Sequence, residues 1–200
     1  MLGLRSAGRQ FTTAVRALIV ATIALGVGYP LLITGVSQAA MPANADGSLV
    51  RVVDAPVGSA LIGQSFTDAD GNALPQYFQG RPSAVGYDST NSGGFNLGPE
   101  NPDLVAAIQE RINAIATSDG VSPGQVPPDA VTASASGLDP HISPEYAQEQ
   151  VKRVAAARGL DPDAVRVLVD ENTEGRMLGF LGEPTVNVLR LNIALDALSG

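Results

Sequence analysis

One lysine and one histidine set narrow limits on the chemistry this 200-residue chain can perform. A nucleotide-binding P-loop needs a lysine after a glycine-rich turn to reach the outer phosphates. Lys152, the only lysine, instead lies in EQVKRVAAAR, a helical run. A two-histidine zinc site is excluded, and a Ser-His-Asp triad would have to use His141, with no G-x-S-x-G elbow to present a serine. In Asp139-Pro140-His141-Ile142-Ser143 the imidazole is expected to fasten a turn ahead of a helix, with catalysis the lesser alternative. Asp68 and Asp70 in TDADGN have the look of a calcium loop, but Tyr77 stands where the closing glutamate belongs, which favours a solvated turn. Cysteine is absent, so disulfides and thiolate chemistry are excluded. No catalytic residue and no metal ligand set is assigned.

The charge is unevenly placed. The net charge is −8 and the first 45 residues carry +3 from Arg5, Arg9 and Arg16, so the remainder carries −11. An acidic body repels phosphates, which excludes nucleic acid as a partner and makes cations the better match for its field. Residues 1–16 read as a basic N-terminal segment. From Ala17 to Val36 twenty uncharged residues follow, ALIVATIALGVGYPLLITGV, enough as a helix to cover roughly 30 Å of hydrocarbon. A transmembrane helix is therefore expected over residues 17–38. The positive-inside bias places the N-terminus in the cytoplasm and the acidic body outside, in a single-pass protein of the plasma or inner membrane.

The alternative is a secretory signal cleaved after Ala43-Asn44-Ala45, releasing a secreted binding or hydrolytic protein that begins at Asp46. Signal cores are shorter than this stretch, which favours retention. Ala17, Ala21, Ala24, Gly28 and Gly35 recur at helical spacing as a stripe of small residues, the kind of surface against which another helix packs closely. Pro30 should bend the helix late in the span.

Residues 39–47 read as a polar connector and residues 48–200 as one α+β domain. Leu49 to Val53 and Val57 to Phe66 suggest paired strands around Asp54-Ala55-Pro56. Asp68 to Pro99 is rich in glycine, proline, serine and asparagine and should be loop, ordered by specific contacts. Helix starts are signalled by Asn101-Pro102, Ser143-Pro144 and Asp161-Pro162, with stops at Gly120 and Gly159. A last helix is expected near Glu183-Pro184, with Val188, Leu191 and Leu195 on its apolar edge.

Five segments, in order, resemble the C subunits of the Kdp potassium-transporting P-type ATPases. The first is GSALIGQSF at Gly58 to Phe66, which includes Gly63 and Gln64. FQGRPSA follows at Phe78 to Ala84, with Gly80, Arg81, Pro82 and Ser83. SGGFNLGPENP contains Ser92, Gly93, Gly94, Asn96, Leu97, Gly98, Asn101 and Pro102. DAVTASASGLDPHIS, the most specific, contains Thr132, Ser134, Ser136, Gly137, Asp139, Pro140, His141 and Ser143. GEPTVNVLRLNIAL supplies Gly182, Glu183, Asn187 and Asn192. The chain departs from the family pattern at Phe95, Ala135 and Thr185, where serine, glycine and arginine are usual. Those departures bear on local loop geometry and one surface contact.

The resemblance implies a non-catalytic accessory subunit of an ATP-driven, high-affinity potassium importer, needed for assembly and stability. Its implied partners are a potassium-channel-like subunit, an ATP-hydrolysing subunit and a small single-span subunit. Potassium is the implied transported ion, and ATP enters through the complex. The single lysine excludes the Asp-Lys-Thr phosphorylation site of such a pump. Val85-Gly86-Tyr87 matches part of a potassium-filter sequence, but a filter needs a re-entrant loop between membrane helices and this chain has one span. The family is also described as raising the ATP affinity of the catalytic subunit; with the domain outside, an indirect effect is expected rather than direct contact. A further expectation is that the acidic domain raises local potassium concentration at the pore mouth, against the plainer alternative that its charge only solubilises it.

Overall fold

The computed structural model describes residues 2–198. They divide into two compact units, the boundary falling between Ser48 and Leu49. In the first, helix α1 (Leu2–Ile23) runs through a π-helical turn (Ala24–Gly28) into α2 (Tyr29–Ala40). Residues 7–40 are long and apolar enough to cross a bilayer, and none of that stretch is buried by the chain itself. Where a bend was expected at Pro30, the helix carries a π turn just upstream. Pro30 has no N–H and its ring crowds the carbonyl four residues back, so the helix widens there and Tyr29 N–H reaches Ala24 O instead. The small-residue stripe crosses this turn: Ala17 and Ala21 lie in α1, Ala24 and Gly28 in the π turn and Gly35 in α2. The wider winding shifts the angular phase between its two ends.

The polar stretch from residue 39 to 47 is more helical than a plain connector. The helix continues to Ala40, and Pro42, preset for a first helical turn, opens a short α3 (Pro42–Ala45).

In the second unit β1 (Leu49–Val52) and β2 (Ala55–Ser59) form an antiparallel hairpin. Val53 and Asp54 make its two-residue turn, both at positive φ. The second strand ends at Ser59 rather than Phe66, because the chain turns inward at buried Ala60 and Gly63 N–H donates to Leu138 O. Then come α4 (Pro102–Asp119), a 3₁₀ turn (Pro123–Gln125), α5 (Pro128–Val131), β3 (His141–Ile142), α6 (Pro144–Arg158), α7 (Pro162–Glu171), β4 (Thr173–Glu174), β5 (Thr185–Asn187) and α8 (Val188–Leu198). The fold is α+β, as expected.

The capping chemistry acts where the sequence places it. Asn101 accepts from Asp103 N–H, Ser143 from Tyr146 N–H and Asp161 from Asp163 N–H. Gly120 and Gly159 end α4 and α6 in the left-handed conformation. The last helix starts four residues later than expected. β-branched Thr185 and Val186 pair in a three-stranded antiparallel sheet ordered β3-β5-β4, and Asn187 then accepts Arg190 N–H to launch α8.

The core is the meeting place of α6, α7, α8 and this sheet. Val151, Val154, Val165, Val169, Val186, Leu191 and Leu195 are buried, joined from the long loop by Phe78. Ile108, Ile112 and Ile115 of α4 pack on its rim.

Candidate functional site

Residues 132–140, TASASGLDP, form an irregular loop that leads into β3 and that other motif segments converge upon. Ser134 Oγ accepts Gly137 N–H and Ser136 Oγ accepts Leu138 N–H, so the two serines fold the loop on itself. Gly63 N–H then donates to Leu138 O, and Gly93 N–H and the Ser92 hydroxyl both donate to Ser136 O. The Ser83 hydroxyl donates to Gly137 O while accepting from Val85 and Tyr87 N–H. Val85-Gly86-Tyr87 is thus a turn around Ser83, and the Tyr87 hydroxyl donates back to Arg81 O.

Arg81 binds the loop as a clamp. Its guanidinium donates to the Thr132 and Ala133 carbonyls and to Asp139 Oδ2 at 3.2 Å. Two glycines are demanded by this closeness. Gly137 has φ +68°, and a Cβ there would lie 2.6 Å from Gly93 O. At Gly63 a Cβ would lie 2.9 Å from Asp139 O and closer still to the Tyr87 ring, which packs over Gly80 as well.

The last segment reaches the others through two buried asparagines. Asn187 Nδ2 donates to Ala60 O. Asn192 accepts Phe78 N–H at 2.9 Å and donates to Phe78 O at 3.0 Å, completing both backbone groups of that residue. Gln150 does the same for Gln79, at 2.7 and 3.2 Å. The two amides thus act as artificial strand partners for a loop that has none, and they fix Arg81 two residues on. Gln150 was not anticipated from the sequence, although its position four residues after Tyr146 and four before Val154 puts it on the buried stripe of α6.

The remaining motif residues are exposed or make single bonds, one of which, from Val188 to Pro140, joins the last two segments. Asn96, Leu97 and Gly98 are exposed, Gln64 donates to Val57 O, Pro140 O accepts Val188 N–H, and Thr132 donates to Pro128 O. Phe95, one of the departures from the family pattern, lies under the Arg111 guanidinium at 5.4 Å. Ala135 approaches Gly94 closely, and Thr185 sits in β5 opposite Glu174.

His141 and Ser143 do not form a nucleophile and base. His141 N–H donates to Asp139 Oδ1 and its Nδ1 lies 3.5 Å from the same oxygen. The Ser143 hydroxyl and N–H both donate to Asp129 instead. These bonds from His141, opposed by partial burial and aided by Arg81, hold the Asp139 carboxyl below the usual carboxylate range. Burial, with the nearby Asp139 charge, pushes the Tyr87 hydroxyl up to about 12. Asp68 accepts from Asp70 and Asn72, and those bonds from Asn72 lower its pKa, so TDADGN is a self-satisfied turn.

Outward from Arg81, Asp139 and His141 opens a cleft of about 670 Å³. Val126, Pro127, Pro128, Ile142 and Pro184 give it apolar walls. Asp129, Asp139, Glu145 and Glu183 set four carboxylates around it against one guanidinium. A second polar cluster, missed in the sequence, sits between α4 and α6. Arg153 Nε donates to buried Asp119 at 2.6 Å, while both Glu149 oxygens are buried with no partner. Desolvation, reinforced by Asp119 and opposed by Arg153, pushes the Glu149 carboxyl up to about 7.

A family model described as K+-transporting ATPase, c chain (KdpC), matches residues 11–197. The chain is similar to the potassium-transporting ATPase KdpC subunit of Kineococcus radiotolerans, 56% identical over 196 residues, covering 97% of this chain and 96% of that one. The protein of the same name from Nitratidesulfovibrio vulgaris is 52% identical over 195 residues, covering 94% and 96%. That from Caldanaerobacter subterraneus is 46% identical over 189, covering 94% and 95%.

Proposed function

Because the chain belongs to the KdpC family of K+-transporting ATPase c chains, we propose that it is the accessory, non-catalytic subunit of a Kdp-type complex that supports assembly and stability of the ATP-driven importer. One observation carries the reading: the match runs through both the apolar helix and the domain, so the two are a single unit of function. The partners are a channel-like subunit, an ATP-hydrolysing subunit and a small single-span subunit. The helix meets them through Ala17, Ala21, Ala24, Gly28 and Gly35, whose small side chains let a second backbone approach. The N-terminus is cytoplasmic and the acidic domain lies across the bilayer, in keeping with Arg5, Arg9 and Arg16 before the span. Potassium and ATP are handled by the other subunits, the domain's effect on ATP use being indirect and its charge enriching potassium outside.

The natural absence of cysteine gives a clean test of sidedness. With Asp70→Cys, placed in the exposed TDADGN turn, a membrane-impermeant maleimide should label the protein from the outside of sealed, right-side-out vesicles. Labelling only after the vesicles are opened would reverse the orientation. Intact mass of the membrane-extracted chain should retain the residues before Asp46; a mature chain beginning there would remove the anchor from the account.

A further inference from the structure

The segment between β4 and β5 ends in a tight, apolar tip. Met177 and Leu181 exchange backbone hydrogen bonds of 2.9 Å in both directions, closing a three-residue loop of Leu178, Gly179 and Phe180. Met177, Leu178, Phe180 and Leu181 are 71%, 78%, 69% and 47% exposed. Together they present on the order of 500 Å² of apolar surface, within the size range of the patches that are often functional on a folded domain. Leu178 holds φ +53°, a conformation unfavourable for a leucine that here points a large apolar side chain at solvent.

The tip is bordered by charge. Arg176 pairs with Glu183 and Arg190 with Glu174 at its base. Glu183, Pro184 and Thr185, the residues that follow the tip, are also the near wall of the cleft described above. Apolar anchors and acidic groove are therefore continuous. Glu145, exposed in the first turn of α6, makes no ion pair among the described residues and leaves the groove with negative charge to offer.

We infer that the 177–181 tip and the adjoining acidic cleft together form the docking surface for a segment of a companion subunit that presents an apolar pocket beside lysine or arginine side chains. Charge decides among the candidate occupants. An anionic lipid surface would be repelled by the groove carboxylates, which a cationic protein segment would neutralise. A second copy meeting tip to tip would bury only about 1,000 Å², below the roughly 1,200 Å² at which stable interfaces begin, and would bring two like-charged grooves together. A companion segment filling the cleft as well as covering the tip buries more than the tip alone, toward the usual size of about 800 Å² per partner, with the anatomy of apolar centre and polar rim.

The inference rests on the chain being an assembly subunit, and the test keeps the two apart. In cells making the whole transporter, Leu178→p-benzoylphenylalanine should photo-cross-link to a companion subunit, at a peptide carrying lysine or arginine beside apolar residues. Phe180→Asp and Glu145→Lys should each lower recovery of the companions with the tagged chain, by about tenfold for the anchor and less for the charge, while the domain's melting temperature stays unchanged. Cross-links confined to lipid or to a second copy, or unchanged recovery for both variants, overturn the docking surface and leave the assembly role standing. Failure of the unsubstituted chain to bring companions overturns both.

Discussion

Leu18, Val20, Leu25 and Leu32 of the N-terminal helix keep between 64% and 69% of their surface uncovered, whereas Leu191 and Leu195 in the domain keep none. The domain closes a core of its own and leaves the 177–181 tip outside it, and even its loop 68–99 finds backbone partners in Gln150 and Asn192. The helix satisfies its own backbone but leaves its side chains for a medium outside the chain, which is the arrangement a bilayer imposes. The contrast teaches where each part is vulnerable: the domain through its polar clamps, the helix through its surroundings.

Breaking the domain side should have the largest effect. Asn192→Ala leaves the buried Phe78 N–H and C=O unpaired and opens a small cavity, so it should cost about 3 kcal/mol and lower the domain's melting temperature by roughly 10 °C. Gly137→Ala forces a side chain into a left-handed backbone against Gly93 O and should cost about 2 kcal/mol, while Gly124→Ala, with nothing within 4 Å, should be neutral. Chemical denaturation of the detergent-solubilised chain, followed by tyrosine signals, measures both.

The pH response comes next in size. Glu149 titrates near 7 in the folded domain and near 4.5 unfolded, so its burial is tolerated in full below 4.5. Stability should fall as pH rises from 4.5 through 7 and then level off. Glu149→Gln should flatten that decline and stabilise the domain at pH 8 by on the order of 1 kcal/mol, after allowing for solvent screening. Asp139 works in the opposite sense: held below its usual range, it adds stability at neutral pH that is lost as pH falls through its depressed pKa. Smallest of all, Leu25→Ala in the helix should leave the domain's melting unchanged, because that side chain belongs to the first compact unit and is 69% exposed.

Much of this was legible in local chemistry. Asn101-Pro102, Ser143-Pro144 and Asp161-Pro162 start helices because a capping side chain and a proline act within three residues of each other. The start of α8 lies beyond the expected Pro184 because Thr185 and Val186 are claimed by a strand whose partners are Thr173, across the 177–181 tip, and Ile142, much farther off in sequence. The amide clamps at Gln150 and Asn192 were hidden for the same reason, since each partner is 71 or 114 residues distant. The convergence of the motif segments on residues 132–140 depends on serine and glycine contacts that spacing does not encode. The resemblance pointed to those residues without saying that most of them serve one another.

The most direct test of the account is purification of the tagged full chain in mild detergent from cells that make the transporter. Two larger membrane subunits should accompany it, potassium should stimulate ATP hydrolysis by the purified assembly, and the isolated chain should have no such activity. Recovery of the chain alone, shortened and water-soluble, or hydrolysis by the isolated chain, would contradict it.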